Sequence, residues 1–164
     1  MTNTDPEALD RVAQAVTELE TEIVAFAGAL VEEPSVQGEE GAAQRLVEEK
    51  MGELGLDVRT VEANDVPGIE SHPEYSETDQ SYDGRPNVIG LREGAENGRS
   101  LRFNGHVDVV PAGDESLWSF DPYAGDVEDG VLRGRGASDM KGGLAAMLFA
   151  VSALERAGIE LQGD

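Results

Sequence analysis

Apolar residues at Val12, Val16, Leu19, Ile23, Phe26 and Leu30 recur at steps of four and three. That spacing puts them on one helical face and predicts a long first helix. The run Thr4-Asp5-Pro6-Glu7 supplies a Thr or Asp cap with proline in the first turn, and Pro34 marks the stop. A second helix is predicted from about Glu39, with Ala43, Leu46, Val47 and Leu54 aligned and Gly55 closing it. "LDVRTVE" then reads as a strand rich in β-branched residues.

Periodicity is missing from 63 to 86, and from Glu62 through Asp83 there are seven acids and no Lys or Arg. This reads as a long acidic loop, disordered or carried on the surface. "NVIGLRE" and "SLRFNGHVDVVP" read as strands around the turn segment "GAENGR", so 87–110 is expected to be a hairpin or a close pair. After "PAGDESLWSFDPYAGDVEDG" comes a short strand, "VLRGRG". A last helix carries Leu144, Met147, Leu148, Val151 and Leu154, closed by Gly158. The order α-α-β-loop-β-β-β-α predicts an α/β class. "LQGD" at 161–164 reads as the approach to one more strand, so 1–164 is expected to be the N-terminal part of a larger domain.

The charge balance narrows the range of partners. The 164 residues hold 34 acids and 12 bases, a formal net charge of −22. Phosphate backbones and anionic membrane surfaces need cations opposite them, so neither nucleic acid nor membrane is an expected partner. With only Lys50 and Lys141 as lysines, the acidity reads as a solvated, salt-adapted (halophilic) surface. There is no cysteine, hence no disulfide and no thiolate metal site. No basic-then-apolar leader and no membrane-length apolar run is evident, so a cytoplasmic address is expected.

Two short stretches carry chemistry. In "GHVDVVP", His106 and Asp108 sit two apart on an expected strand and therefore leave the same face. A carboxylate on one imidazole nitrogen fixes the tautomer and frees the other for a metal. The same pair also reads as a hydrogen-bonded structural histidine beside an ordinary strand-end aspartate. His72 reads as a solvated loop histidine. In the glycine-rich "GRGASDMKGG", Asp139 ends a strand-to-helix connection. A buried anion there must be paired or bind a metal, although a plain N-cap aspartate fits the pattern too. Walker A and dinucleotide-loop spacings are both missing. Trp118, Phe120 and Tyr123 either line a cleft mouth or pack a long connection. Lys141 is read as solvated or salt-linked, without a role.

Together, "NGHVDVVPAGDESLWSFDPYAGDVEDGVLRGRGASDMKGG" and "LVEEPSVQGEEGAAQRLVEEKMGELGLDV" resemble metallopeptidase family twenty. This zinc-peptidase family includes acetylornithine deacetylase, succinyl-diaminopimelate desuccinylase, aminoacylase and carboxypeptidase G. The resemblance implies a partial three-layer α/β/α catalytic domain with a mixed sheet, without its C-terminal half and lid domain. It implies a site of two divalent metal ions, zinc first and cobalt as the alternative. His106 would be a ligand of one metal, Asp139 the bridging carboxylate, and Asp108 the catalytic residue that orients His106. The implied reaction is hydrolysis of an amide bond in an N-acyl amino acid or peptide. The family's general-base glutamate and remaining ligands match nothing in this chain. The 164 residues alone are therefore expected to bind metal weakly and to be inactive, and a homodimer is expected only where the lid domain is present. The alternative is a non-catalytic folded module that docks on a companion chain.

Overall fold

The computed structural model describes residues 5–75, 81–95 and 98–164. Thr4, part of the acidic loop (76–80) and two positions of the "GAENGR" turn (96–97) lie outside the described residues.

Helix α1 spans Pro6–Glu32. Its cap is Asp5, whose side chain accepts from the Glu7 N–H at 3.1 Å, with Pro6 in the first turn where no N–H is needed. Helix α2 spans Gly41–Glu53, and Gly55 follows at φ 72° with its N–H on the Gly52 carbonyl. Helix α3 spans Gly142–Arg156 and ends at Gly158, φ 70°.

The core lies between α1 and α3. Leu19, Phe26 and Leu30 are buried from the expected stripe of α1, and Leu144 and Leu148 from that of α3. Val16 departs from the expectation: it is 45% exposed, because the buried face of α1 runs through Ala15, Leu19, Phe26 and Ala27 instead. Ala145, Phe149 and Ala153 are buried on α3 although the leucine stripe did not single them out. Small alanines let the two helices approach closely, and the Phe26 and Phe149 rings meet at 6.0 Å between centroids.

Strands β1 (Asp57–Val61) and β2 (Asn87–Leu91) pair antiparallel, from Asp57 opposite Leu91 to Val61 opposite Asn87. Helix α2 packs on both. The long connection between them carries single 3₁₀ turns at Ala63–Asp65 and Ile69–Ser71.

The expected pairing within 87–110 is not what forms. β2 takes β1 as its partner, and residues 101–108 join no ladder among the described residues. Leu101 and Phe103 stay 70% and 49% exposed. Strand-like composition makes a strand only where a neighbouring backbone accepts its hydrogen bonds. The bonds that do form are few. Val109 makes one parallel bridge with Val36, and the N–H groups of Ala95, Gly98 and Leu101 reach the carbonyls of Leu161, Gln162 and Asp164. "LQGD" thus lies beside Ala95 and the stretch 98–101.

An unexpected hairpin pairs β3 (Val127–Glu128) with β4 (Val131–Leu132). Its turn residues Asp129 and Gly130 both have positive φ, 51° and 77°, as a two-residue hairpin loop requires. The chain is an α/β fold in which antiparallel pairs and one parallel bridge coexist.

Candidate functional site

Two segments converge. One is the extended stretch His106–Val109, of which Val107 and Val109 are buried and His106 and Asp108 face outward. The alternation is strand-like and places both polar side chains on one face. The other is the kinked turn Ala137–Lys141 that opens into α3. Within it Asp139 (φ −133°, ψ 96°) and Met140 (φ −134°, ψ 31°) leave helical geometry, and the peptide between them is cis.

His106 Nδ1 lies 3.1 Å from both the backbone carbonyl and Oδ1 of Asp108. A carbonyl oxygen only accepts, so Nδ1 carries the proton and donates. The lone pair of the neutral ring is therefore on Nε2, which lies 3.3 Å from Asp139 Oδ1. A lone pair and a carboxylate oxygen facing each other at that distance repel unless a cation sits between them. A proton, making imidazolium, or a metal ion would serve.

The residues fit a metal ion. Nitrogen and carboxylate oxygen are zinc donors, and bonds of about 2.0–2.2 Å at tetrahedral angles separate two ligand atoms by roughly 3.3 Å. The His106–Asp139 gap has that width. Among the described residues, however, no cluster of three or more His, Cys, Asp and Glu side chains could hold a metal.

Asp139 corrects an expectation. Its side chain is 89% exposed rather than a buried anion, because the kink turns it outward over His106. The half-exposed His106 and Asp108 also leave the site open to solvent. His72 is exposed, its Nδ1 accepting from the Glu74 N–H at 3.2 Å.

A cavity of about 210 Å³ opens beside His106 and Asp108. Its far wall is formed by Glu40, Tyr82, Arg85 and Asn87. Glu40 and Arg85 pair there with side chains only 13% and 10% exposed, at 2.8 Å. Burial works to raise the Glu40 carboxyl, but the Arg85 guanidinium and the Gly38 N–H hold it below the ordinary carboxylate range. A larger depression of about 320 Å³, bounded by Arg92, Val151 and Leu161, has no histidine in its lining.

Trp118 and Phe120 take the packing role. Trp118 and Phe120 meet edge to face at 5.5 Å, and Trp118 donates to the Ala112 carbonyl. Arg135 lies over Trp118 at 5.0 Å and Arg133 over Phe120 at 5.8 Å. Trp118, Phe120 and Tyr123 do not line the cavity beside His106.

Lys141 is a second correction. It is neither solvated nor salt-linked but fully buried, donating to the Glu33 carbonyl at 2.7 Å. Burial pushes its ammonium down to about 8, against an opposing pull from Glu33. Glu40, Arg85 and Ser35 were also missed; none carries a local spacing signal, since each finds its partner far along the chain.

Residues 102–164, which include His106, Asp108 and Asp139, match Peptidase family M20/M25/M40. A succinyl-diaminopimelate desuccinylase of Cereibacter sphaeroides is 42% identical over 127 residues, 77% of this chain and 28% of that protein. A Bacillus subtilis N-formyl-4-amino-5-aminomethyl-2-methylpyrimidine deformylase is 48% identical over 85 residues, 51% of this chain and 20% of that one. The crystal structure of human carnosine dipeptidase 1 superposes with a TM-score of 0.72 at 28% identity, covering 93% of this chain and 32% of its own. The chain belongs to the M20 peptidase superfamily, with partial homology to its deacylases and dipeptidases. It spans about a third or less of the length of these relatives. No helix among the described residues is long and apolar enough to cross a membrane.

Proposed function

We propose that the chain is the N-terminal part of a three-layer catalytic domain, and that the complete site hydrolyses amide bonds of N-acyl amino acids or peptides with divalent metal ions, zinc foremost. The observation that carries this reading is the opposed pair of His106 Nε2 and Asp139 Oδ1 at 3.3 Å, with Nδ1 already engaged by Asp108. Metal ions bound there would acidify a water and polarise the amide carbonyl. The chain's own residues do the preparatory work. Asp108 holds the His106 ring in one tautomer and one orientation. His106 presents Nε2, and Asp139 presents an exposed carboxylate whose second oxygen is free to reach a neighbouring ion.

Two ligands cannot hold a metal tightly, so the 164 residues are expected to bind zinc weakly and to turn over no substrate. Isothermal titration of wild type, His106→Ala and Asp139→Ala with zinc tests the reading. Weak binding in wild type, lost in both variants, supports it. Equal binding in all three contradicts it.

A second reading rests on a different observation, the exposed Leu101, Phe103 and Val110 along a segment without a ladder. Those side chains suit a docking edge for a companion chain. Concentration-dependent sedimentation of the pure chain, with and without further family sequence in trans, separates a docking module from a self-contained one.

A further inference from the structure

We propose that the turn Glu33–Ser35, where the chain leaves α1, is the common anchor that sets the His106–Asp139 distance, with Lys141 and Ser35 as its two positioning residues. The inference rests on the reading of His106 and Asp139 as metal ligands.

Each ligand segment is tied to this turn by a buried side chain. Lys141, two residues beyond Asp139, has no exposed surface, and its Nζ donates to the Glu33 carbonyl at 2.7 Å. Ser35 is 1% exposed, and its Oγ donates to the carbonyl of Val107, the residue between His106 and Asp108, at 2.5 Å. The Ser35 carbonyl in turn accepts from the Val109 N–H at 2.9 Å. The His106 segment and the Asp139 turn thus meet at three consecutive residues.

The chemistry suits a latch. Glu33 caps the C-terminal end of α1, where free carbonyls and the helix dipole favour a cation. A buried ammonium is costly unless held, so Lys141 has little freedom to leave. Its backbone N–H also bonds the Gly136 carbonyl at 3.0 Å, closing the loop that carries Asp139. Gly136, at φ 81°, leaves room for the lysine stem: a Cβ there would lie 2.4 Å from Val109 Cγ1 and 3.3 Å from Lys141 Cδ. Lys141, Gly136 and Val109 therefore form one packed contact joining the two segments. A methionine could fill that volume but could not bond Glu33.

Chelator competition with zinc, run on the 164-residue chain, tests the proposal. Lys141→Met and Ser35→Ala should each weaken zinc binding about tenfold while far-UV circular dichroism is retained. The double variant should lose less than the product, because both ties act on one distance. Zinc affinity within about twofold of wild type in folded Ser35→Ala and Lys141→Met would overturn the inference. If wild type binds zinc no better than Asp139→Ala, the metal reading itself falls, and metal-free ¹H–¹⁵N spectra decide the anchor separately. Ser35→Ala should then move the Asp139 amide, and Lys141→Met the His106 amide. Shifts confined to the substituted segment would refute a common anchor.

Discussion

Replacing Arg85 by methionine strands a buried carboxylate next to the candidate site. Arg85 Nη1 donates to both oxygens of Glu40, at 2.8 and 3.1 Å, across 45 positions of sequence. Glu40 keeps one further bond, from the Gly38 N–H at 2.9 Å. Removing one partner of a buried pair costs about 3–5 kcal/mol. The retained Gly38 bond and the adjoining open cavity bring the expectation here to about 2–3 kcal/mol, a large share of the stability of a small domain. The pH dependence follows from the depressed Glu40 carboxyl. A folded pKa below the unfolded one stabilises above the ordinary carboxylate range, and that stabilisation is lost as pH falls through the folded value. The gap between wild type and Arg85→Met should therefore be full at neutral pH and narrow as pH falls below the ordinary carboxylate range. Arg85→Met/Glu40→Gln, which leaves no buried charge, should recover most of the loss. Urea denaturation in molar salt across that range measures all three. A gap under about 0.5 kcal/mol at neutral pH, or one that does not narrow on acidification, would show that Arg85 does not stabilise a buried Glu40 carboxylate.

Gly136→Ala should cost about 2 kcal/mol or more, since it forces a side chain onto φ 81° and against Val109, and should weaken zinc binding as well; a melting temperature and zinc affinity equal to wild type would count against the described loop. If the net charge of −22 marks a salt-adapted surface, thermal unfolding should move to higher temperature in molar salt, and greater stability in dilute buffer would contradict it. Phe26→Ala should destabilise the α1–α3 core by about 3–5 kcal/mol by chemical denaturation, with a loss under about 1 kcal/mol as the contrary result. The pure chain should show no turnover of N-acyl amino acids at added zinc, and sustained turnover that Asp139→Ala abolishes would show that two ligands suffice.

The helices were legible because their signals are local. Asp5, Pro6 and the three-four spacing of Leu19, Phe26 and Leu30 all lie within one element, as do Gly55 and Gly158 at the helix ends. Strand identity in "LDVRTVE" and "NVIGLRE" was equally local, but their pairing with each other across the acidic loop was not. The 101–108 segment shows the converse: its composition promises a strand, yet a ladder depends on partners that composition does not specify. The β3–β4 hairpin did have a readable signal, the Asp129-Gly130 pair, which the surrounding Gly- and Pro-rich stretch obscured. At the site, spacing alone predicted that His106 and Asp108 share a face, and they touch. Nothing in the spacing could show that Lys141 turns inward to α1 or that Asp139 turns outward, because both depend on the kink between them.

Metal binding at this site turns on one imidazole nitrogen, Nε2 of His106. The chain has two histidines, so ¹⁵N-detected NMR of the side chains during zinc titration resolves His72 from His106. On zinc addition His106 Nε2 should shift while Nδ1 stays protonated against Asp108, and Asp139→Ala should remove the shift. Zinc bound through Nδ1, or a His106 signal that zinc leaves unmoved while His72 responds, would contradict it.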